Sequence, residues 1–382
     1  MSSEVQLRAF LAQDPGNPEI ACDLIDLQLT AGQPEAARLT LANLPNDVQR
    51  NPGVSFRASR IDLATGDYGA AHERLRALIE LGHDAPAIGH DLAFAQLCQR
   101  RTDAAAATIS RTIARHGASP ELHVLRARVA LMDGDHAQAQ HSLDEALRME
   151  PDHATAMGVR ALGLLDSGNL PSAQAAAADC LARYPDQHEA LLASATAHLW
   201  TGNPALAGEQ YQRALARFPN SGRALSGMGQ VLAMAGHLEQ AEATLRHAVR
   251  TMPDHIGTWH ALGWVQLLQG DLPEARNSYQ AAYDLDRNFA ESHGGLAVVA
   301  FFEDRFEDGE ASMKRALKLD PKCVSGRYAK TLWLHHTSQA EASDALFAEL
   351  MEQGALPGID PLQASQAAER LRARATSRRS QG

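Results

Sequence analysis

The chain is 382 residues long, 45% hydrophobic but only 5% aromatic, and carries a formal net charge of −11 at pH 7. That acidic balance speaks against a partner with a phosphate backbone, so no nucleic-acid partner is expected. No window approaches the ~18 apolar residues of a membrane-spanning helix, the start MSSEVQLRAF places Glu4 and Arg8 before any apolar run, and Cys22, Cys98, Cys180 and Cys323 lie far apart with no CxxC pair; together these features predict a cytoplasmic chain with reduced thiols and no membrane insertion. Basic charge comes from 31 arginines and 4 lysines, a bias expected of a GC-rich bacterial genome.

In chain order, residues 4–13, with Leu7, Phe10 and Leu11 ahead of Asp14 and Pro15, predict a helix that covers one end of a stack, within an N-terminal capping segment 1–17. From Pro18 onward a 34-residue period takes over. Its turn column reads Gly32, Gly66, Arg100, Gly134, Gly168, Gly202, Gly236, Gly270, Asp304 and Ser338. Five residues later a small column reads Ala37, Ala71, Ala105, Ala139, Ala173, Ala207, Ala241, Ala275, Gly309 and Ser343, with no insertion or deletion between copies. Such a period marks an array in which each repeat contacts only its neighbours.

Apolar and small residues three and four apart on both sides of the turn predict two helices per repeat. Ten hairpins are expected, beginning near Pro18, Pro52, Pro86, Pro120, Ala154, His188, Gly222, Ile256, Ala290 and Val324. The turn glycines permit the positive φ that ends the first helix, and Asp67, Asp135, Asn169, Asn203 and Asp271 are placed to cap the second. Where the small column crosses the neighbouring helix, a larger side chain would hold the backbones apart. Pro151, Pro185, Pro219, Pro253 and Pro321 stop the second helices, since proline has no N–H for the next helical bond. The array is expected over residues 18–353, with a C-terminal capping helix over 354–375 and a basic disordered tail over 376–382.

Trp259, Leu262, Gly263, Gly270, Ala275, Tyr279 and Ala282, in this order within one period, resemble the tetratricopeptide repeat family. The resemblance runs from Pro18 to the region of Met351 and is fullest in 222–255 and 256–289. It implies an all-α solenoid, a right-handed superhelix of helix-turn-helix hairpins whose first helices line a concave face that binds a protein or peptide segment.

Catalytic chemistry finds little support. The 17 histidines scatter over many columns, and no HExxH, GxSxG or GxxxxGK[ST] occurs, so no catalytic, cofactor or metal residues are expected. His335 and His336 point about 100° apart on a helix and are read as a solvated helix end. His90 with His260, and His123 with His293, share columns and are read as packing histidines.

The inner-face columns hold the candidates for binding. Leu131, Leu165, Leu199 and Leu267 are read as hairpin packing, whereas Trp200, Trp264 and Phe302 are open between packing and binding. The lysine and asparagine clamp used within the family for chaperone C-termini has Cys22, Asp26, Phe56, His90, Val124 and Gly158 at its places, and the family's asparagine ladder has no asparagines here, so neither use is expected. The resulting expectation is a non-enzymatic adaptor or scaffold whose groove takes a partner segment through Phe94, Arg128, Trp200, Trp264, Leu268, Phe301, Phe302 and Tyr328, with Arg128 pairing an acidic group. A bacterial chaperone for hydrophobic secretion or envelope substrates and a regulatory arm of a separately encoded enzyme are the alternatives.

Overall fold

The computed structural model describes residues 3–352; the C-terminal capping helix and tail expected beyond them lie outside the described residues. The chain divides into two units, residues 1–168 and 169–382. In the first, α1 (Ser3–Gln13) lies against α2 (Pro18–Thr30), which pairs with α3 (Pro34–Ala42). The one-turn α4 (Asn46–Gln49) then leads to the hairpins α5 (Pro52–Thr65) with α6 (Tyr68–Glu80), α7 (Pro86–Cys98) with α8 (Thr102–His116), and α9 (Pro120–Met132) with α10 (His136–Met149), and to α11 (Ala154–Asp166). The second unit opens with α12 (Leu170–Arg183). Five hairpins follow: α13 (His188–Trp200) with α14 (Pro204–Arg217), α15 (Gly222–Met234) with α16 (Leu238–Thr251), α17 (Ile256–Gln269) with α18 (Leu272–Leu285), α19 (Ala290–Phe302) with α20 (Phe306–Leu319), and α21 (Val324–His336) with α22 (Ala340–Glu352). Each unit is thus an all-α stack, and the ten first helices begin at the ten residues the period predicts.

All ten residues of the turn column have positive φ, including the three that are not glycine, Arg100 and Asp304 at 60° and Ser338 at 63°. The column is therefore a backbone requirement that glycine meets without strain and the other three meet against the usual preference of L-residues. Directly after the turn, Asp67, Asp135, Asn169 and Asp271 accept the N–H of the residue three positions on, at 2.9–3.3 Å. Asn203 does not cap: its amide turns back to the carbonyl and hydroxyl of Thr201. Helices α10, α12, α14, α16 and α20 end two residues before the prolines of the stop column, and the intervening Glu150, Tyr184, Phe218, Met252 and Asp320 leave helical geometry, as the pre-proline clash demands.

A second capping column escaped the sequence reading. The residue before each first helix is Asn17, Asn51, Ser119, His153, Gln187, His255 or Cys323 in seven of the repeats, and in each its side chain accepts an amide from the first turn. Two histidines and one cysteine are thereby accounted for by helix capping. In the core the small column is buried throughout, and hydrogen bonds tie the two helices of some hairpins together, such as the part-buried Thr40 Oγ1 to Gln28 Oε1 at 3.0 Å and the buried Ser278 Oγ to Gln266 Oε1 at 2.7 Å. These bonds offset the cost of desolvating polar residues in the hairpin interior.

Candidate functional site

The first helices of each unit stack side by side, so residues 34 apart form rows across them. In the N-terminal unit these rows are charged. Arg57 on α5 donates from Nε and Nη2 to Asp26 Oδ2 on α2, at 3.1 and 2.8 Å, a two-pronged bond between neighbouring hairpins. One turn further along α5, Arg60 lies 3.7 Å from Asp26 Oδ1 and 4.0 Å from Asp91 Oδ2 on α7. His90 Nδ1 closes the chain at 2.9 Å from Asp91 Oδ1. Three successive first helices are thereby linked by one ladder of charges. Phe94 and Arg128 continue the row of Arg60 on α7 and α9; Phe94 is half-buried against the cluster of Leu97, Ile109, Leu125 and Val129.

In the C-terminal unit the rows are apolar. Trp200, Met234, Leu268 and Phe302 occupy the last turns of α13, α15, α17 and α19, one per hairpin. Trp200 is 54% exposed and the other three are half-buried. His336 continues the row on α21, but its ring stacks on Phe306 with centroids 3.6 Å apart, which corrects the expectation of a solvated pair; His335 alone is exposed.

The remaining sequence candidates have another task. Phe301 is only 6% exposed, and its ring occupies the space over Gly309, where a Cβ would stand 2.7 Å from ring carbons. This repeat alone replaces the alanine of the small column with glycine, and it alone carries phenylalanine at the place where most neighbours carry leucine. The two exchanges compensate, so Phe301 is a packing residue, and Gly309 was the signal in the sequence. Tyr328 is 4% exposed, lying edge-on to Trp264 at 6.0 Å and tilted against Phe347 at 6.4 Å.

Trp264 and Tyr328 belong to the first and third of three consecutive hairpins, and they meet where the intervening α19 carries Gly294; the next residue, Gly295, instead makes room for the Tyr279 ring. A Cβ on Gly294 would strike the backbone nitrogen of Gly326, so α19 and α21 approach backbone to backbone. The carboxylate of Glu291 on α19 accepts the amides of Val324 and Ser325, at 2.7 and 2.9 Å, and holds the first turn of α21 in place. Such a charge-assisted cap also complements the helix dipole. Beneath it, burial and the neighbouring carboxylate push the Cys323 thiol up to about 12. Trp264 is half-buried, and its Nε1 has no hydrogen-bond partner among the described residues.

Among the described residues Glu121, Glu150 and His153 bring three potential ligand atoms within 4.8 Å of one another. The imidazole is committed elsewhere. His153 Nδ1 accepts the Ala156 amide at 3.2 Å, so the neutral ring carries its proton on Nε2, the nitrogen that faces Glu121 at 3.9 Å. That nitrogen carries a hydrogen and presents no lone pair to a cation. His260 is likewise occupied: its Nε2 lies 3.1 Å from Ser292 Oγ, its ring packs edge-on to Tyr279 and Phe289, and burial lowers it to about 4.

Family models described as tetratricopeptide repeat match residues 5–56 and 201–263, and again 90–139, 124–162, 159–221 and 260–323. The chain belongs to the tetratricopeptide repeat family. A search of curated proteins returns no match. Among solved structures, a monomeric mutant of IFIT1 with Gppp-AAAA is 16% identical, with a TM-score of 0.57, covering 94% of this chain and 91% of its own. The human IFIT1 dimer with PPP-AAAA is 16% identical, with a TM-score of 0.55, covering 98% and 95%. At such identities the likeness shows the fold alone. PilF of Pseudomonas aeruginosa is 21% identical over 56% of this chain and 97% of its own, with a TM-score of 0.42 that carries no weight. Tetratricopeptide repeats form a protein-interaction scaffold, and among the described residues no helix is long and apolar enough to cross a membrane.

Proposed function

We propose that the chain is a non-enzymatic cytoplasmic adaptor that holds a segment of a partner protein on the first-helix face of its repeats. The row Trp200, Met234, Leu268 and Phe302 carries the proposal, because it places four large apolar side chains on four consecutive hairpins and leaves an indole more than half in water. Isolated exposed apolar residues are ordinary on protein surfaces, whereas a row with an aromatic end is the pattern of an interface anchor. Phe94 and Arg128 serve the same purpose in the N-terminal unit, Arg128 by pairing an acid of the partner. Trp264, Phe301 and Tyr328 pack in the core beneath the row and support the fold that carries it. A formal charge of −11 favours a polypeptide over RNA as the occupant, in spite of the fold shared with IFIT1.

The test is to isolate the partner on the intact chain, purify it, and titrate it against wild type, Trp200→Ala and Leu268→Ser. Each substitution is expected to weaken binding by about 2 kcal/mol, the size of an interface anchor, with an unchanged helical signal. Undiminished affinity in both variants would remove the row from the binding surface.

A further inference from the structure

The helix α1 stands in the place of a second helix, and among the described residues its neighbour is the next first helix, α2, with none of its own. Ser3, where it begins, lies one period before Ala37 of the small column, and Phe10 lies one period before Leu44. The ten counterparts of Phe10, from Leu44 to Leu350, are all buried, whereas Phe10 is 54% exposed. On α2, Ile20 heads a column whose nine later members, from Val54 to Gly326, are buried, and it alone is half-open. Leu44 and Val54 show what these two columns meet, for both share a cluster with Ala21 and Cys22 of the first helix before them. Asp23, one turn beyond Ile20, lies one period before Arg57, whose guanidinium reaches back to Asp26 on the preceding first helix. Asp23 is exposed and makes no ion pair among the described residues. Phe10, Ile20 and Asp23 thus border one place, the one that a first helix ahead of α1 would fill.

We propose that this place is filled by residues 361–375 of a second copy of the chain. Charge favours that occupant: residues 1–35 hold six carboxylates against Arg8 alone, and residues 353–382, which follow α22, hold five arginines against Asp360 and Glu369. Size favours it as well. From Pro361 to Ala375 the sequence has no further proline or glycine and is about as long as a first helix such as the 14-residue α5. Ala364, Ala368, Leu371 and Ala375 have the spacing that puts them on one side of a helix, with Arg372 and Arg374 flanking them. Small residues on that side suit the Phe10 ring, as Gly227 on α15 makes room for the Tyr211 ring. An arginine of the segment then meets Asp23, which is the Arg57–Asp26 joint with its charges exchanged. Each repeat of such a stack contacts only its sequence neighbours, so the segment that reaches α1 comes from another copy. The contact is heterologous, the end of one copy on the start of the next, and it repeats from copy to copy.

The experiment follows the mass of the full chain by sedimentation velocity across a wide range of concentration. Wild type is expected to pass from single copies to species larger than two as concentration rises. Phe10→Glu and Leu371→Glu each weaken that association at least about ten-fold. Phe10→Glu keeps the helical signal and melting temperature of wild type, since the ring it removes is already more than half in water. Mixed in equal amounts, the two variants form a pair that grows no further, because one supplies an intact segment and the other an intact α1. Asp23→Arg, at an exposed carboxylate, repeats the test independently of Phe10, and high salt weakens the wild-type association.

A wild type that remains a single copy at every concentration overturns the proposal and leaves the segment to cap its own stack. Association that survives Phe10→Glu and Asp23→Arg lies elsewhere on the chain and overturns it too. If Phe10→Glu abolishes association but mixing with Leu371→Glu restores no pair, the contact joins one α1 to another, and residues 361–375 are not its occupant.

Discussion

The two units use one repeat to build two different first-helix faces. In the N-terminal unit neighbouring first helices are joined by charge, through Asp26, Arg57, Arg60 and Asp91. In the C-terminal unit the column of Arg57 and Asp91 carries the small residues Ala193, Gly227, Ala261, Gly295 and Ala329, the column of Asp26 and Arg60 carries Thr196, Gln230, Trp264, Val298 and Leu332, and the joints are the approach of α19 to α21 at Gly294 and the Trp264–Tyr328 contact. The difference separates stability from availability. Where side chains are small the helices close on one another and bury their aromatics, so large residues stay reachable only at the helix ends, as at Trp200. Where the chains are long and charged, the backbones need not touch, and a group such as Arg60 is held in place yet left open.

The comparison breaks most easily at Gly294. A methyl group there meets backbone, which has no rotamer to yield, so Gly294→Ala is expected to cost about 3 kcal/mol in urea denaturation, at the upper end of overpacking penalties. A neutral outcome would mean that α19 and α21 are not in backbone contact. Ala241→Leu, by contrast, adds bulk in a cluster with Leu245 and Val265, whose side chains have some freedom to rearrange, and about 1 to 3 kcal/mol is expected.

A pH experiment sharpens the contrast further, since the C-terminal unit holds a half-buried neutral histidine. His260 is lowered to about 4 by burial, so between about pH 6.5 and 4 the unfolded chain binds a proton that the folded chain does not. Stability from this group is present above the unfolded value and is lost as the pH falls through that window, by about 2 kcal/mol between pH 7 and 5. His260→Gln should flatten that part of the pH profile; an unchanged slope would place the proton uptake elsewhere. The smallest effect belongs to the charge ladder. Arg57→Gln is expected to cost about 1 kcal/mol or less, and less again in high salt, because both partners are about one-third exposed and screened. A loss above about 3 kcal/mol would mean that the N-terminal unit depends on its ladder as the C-terminal unit depends on its glycines.

Much of this was legible in the sequence, for a physical reason. A backbone that must reach positive φ and a crossing that admits only small residues leave marks every 34 positions, so the hairpins, their starts and their stops could be read directly. The site was less legible because repeat columns report what recurs, while the face depends on exchanges within single repeats. Phe301 looked like a binding residue until Gly309 was seen beneath it, and Tyr328 until its ring was seen against Trp264, where α21 closes on α19 at Gly294. Gly309 stood in plain view as the one glycine of the small column. The meeting of Trp264 with Tyr328, 64 positions apart, is a product of local curvature that no spacing rule contains. Histidines and cysteine at helix starts were similarly hidden, since neither residue type is a usual cap.

The division between an aromatic that binds and an aromatic that packs is tested most directly by comparing Trp200→Ala with Trp264→Ala, recording for each the melting temperature and the affinity for the purified partner per folded molecule. The expected result is a crossed pair: Trp200→Ala melts like wild type and binds more weakly by about 2 kcal/mol, while Trp264→Ala melts at lower temperature and binds nearly as well. The opposite pattern, with stability lost at Trp200 and affinity lost at Trp264, would contradict the assignment of the exposed row to the partner and the buried pair to the fold.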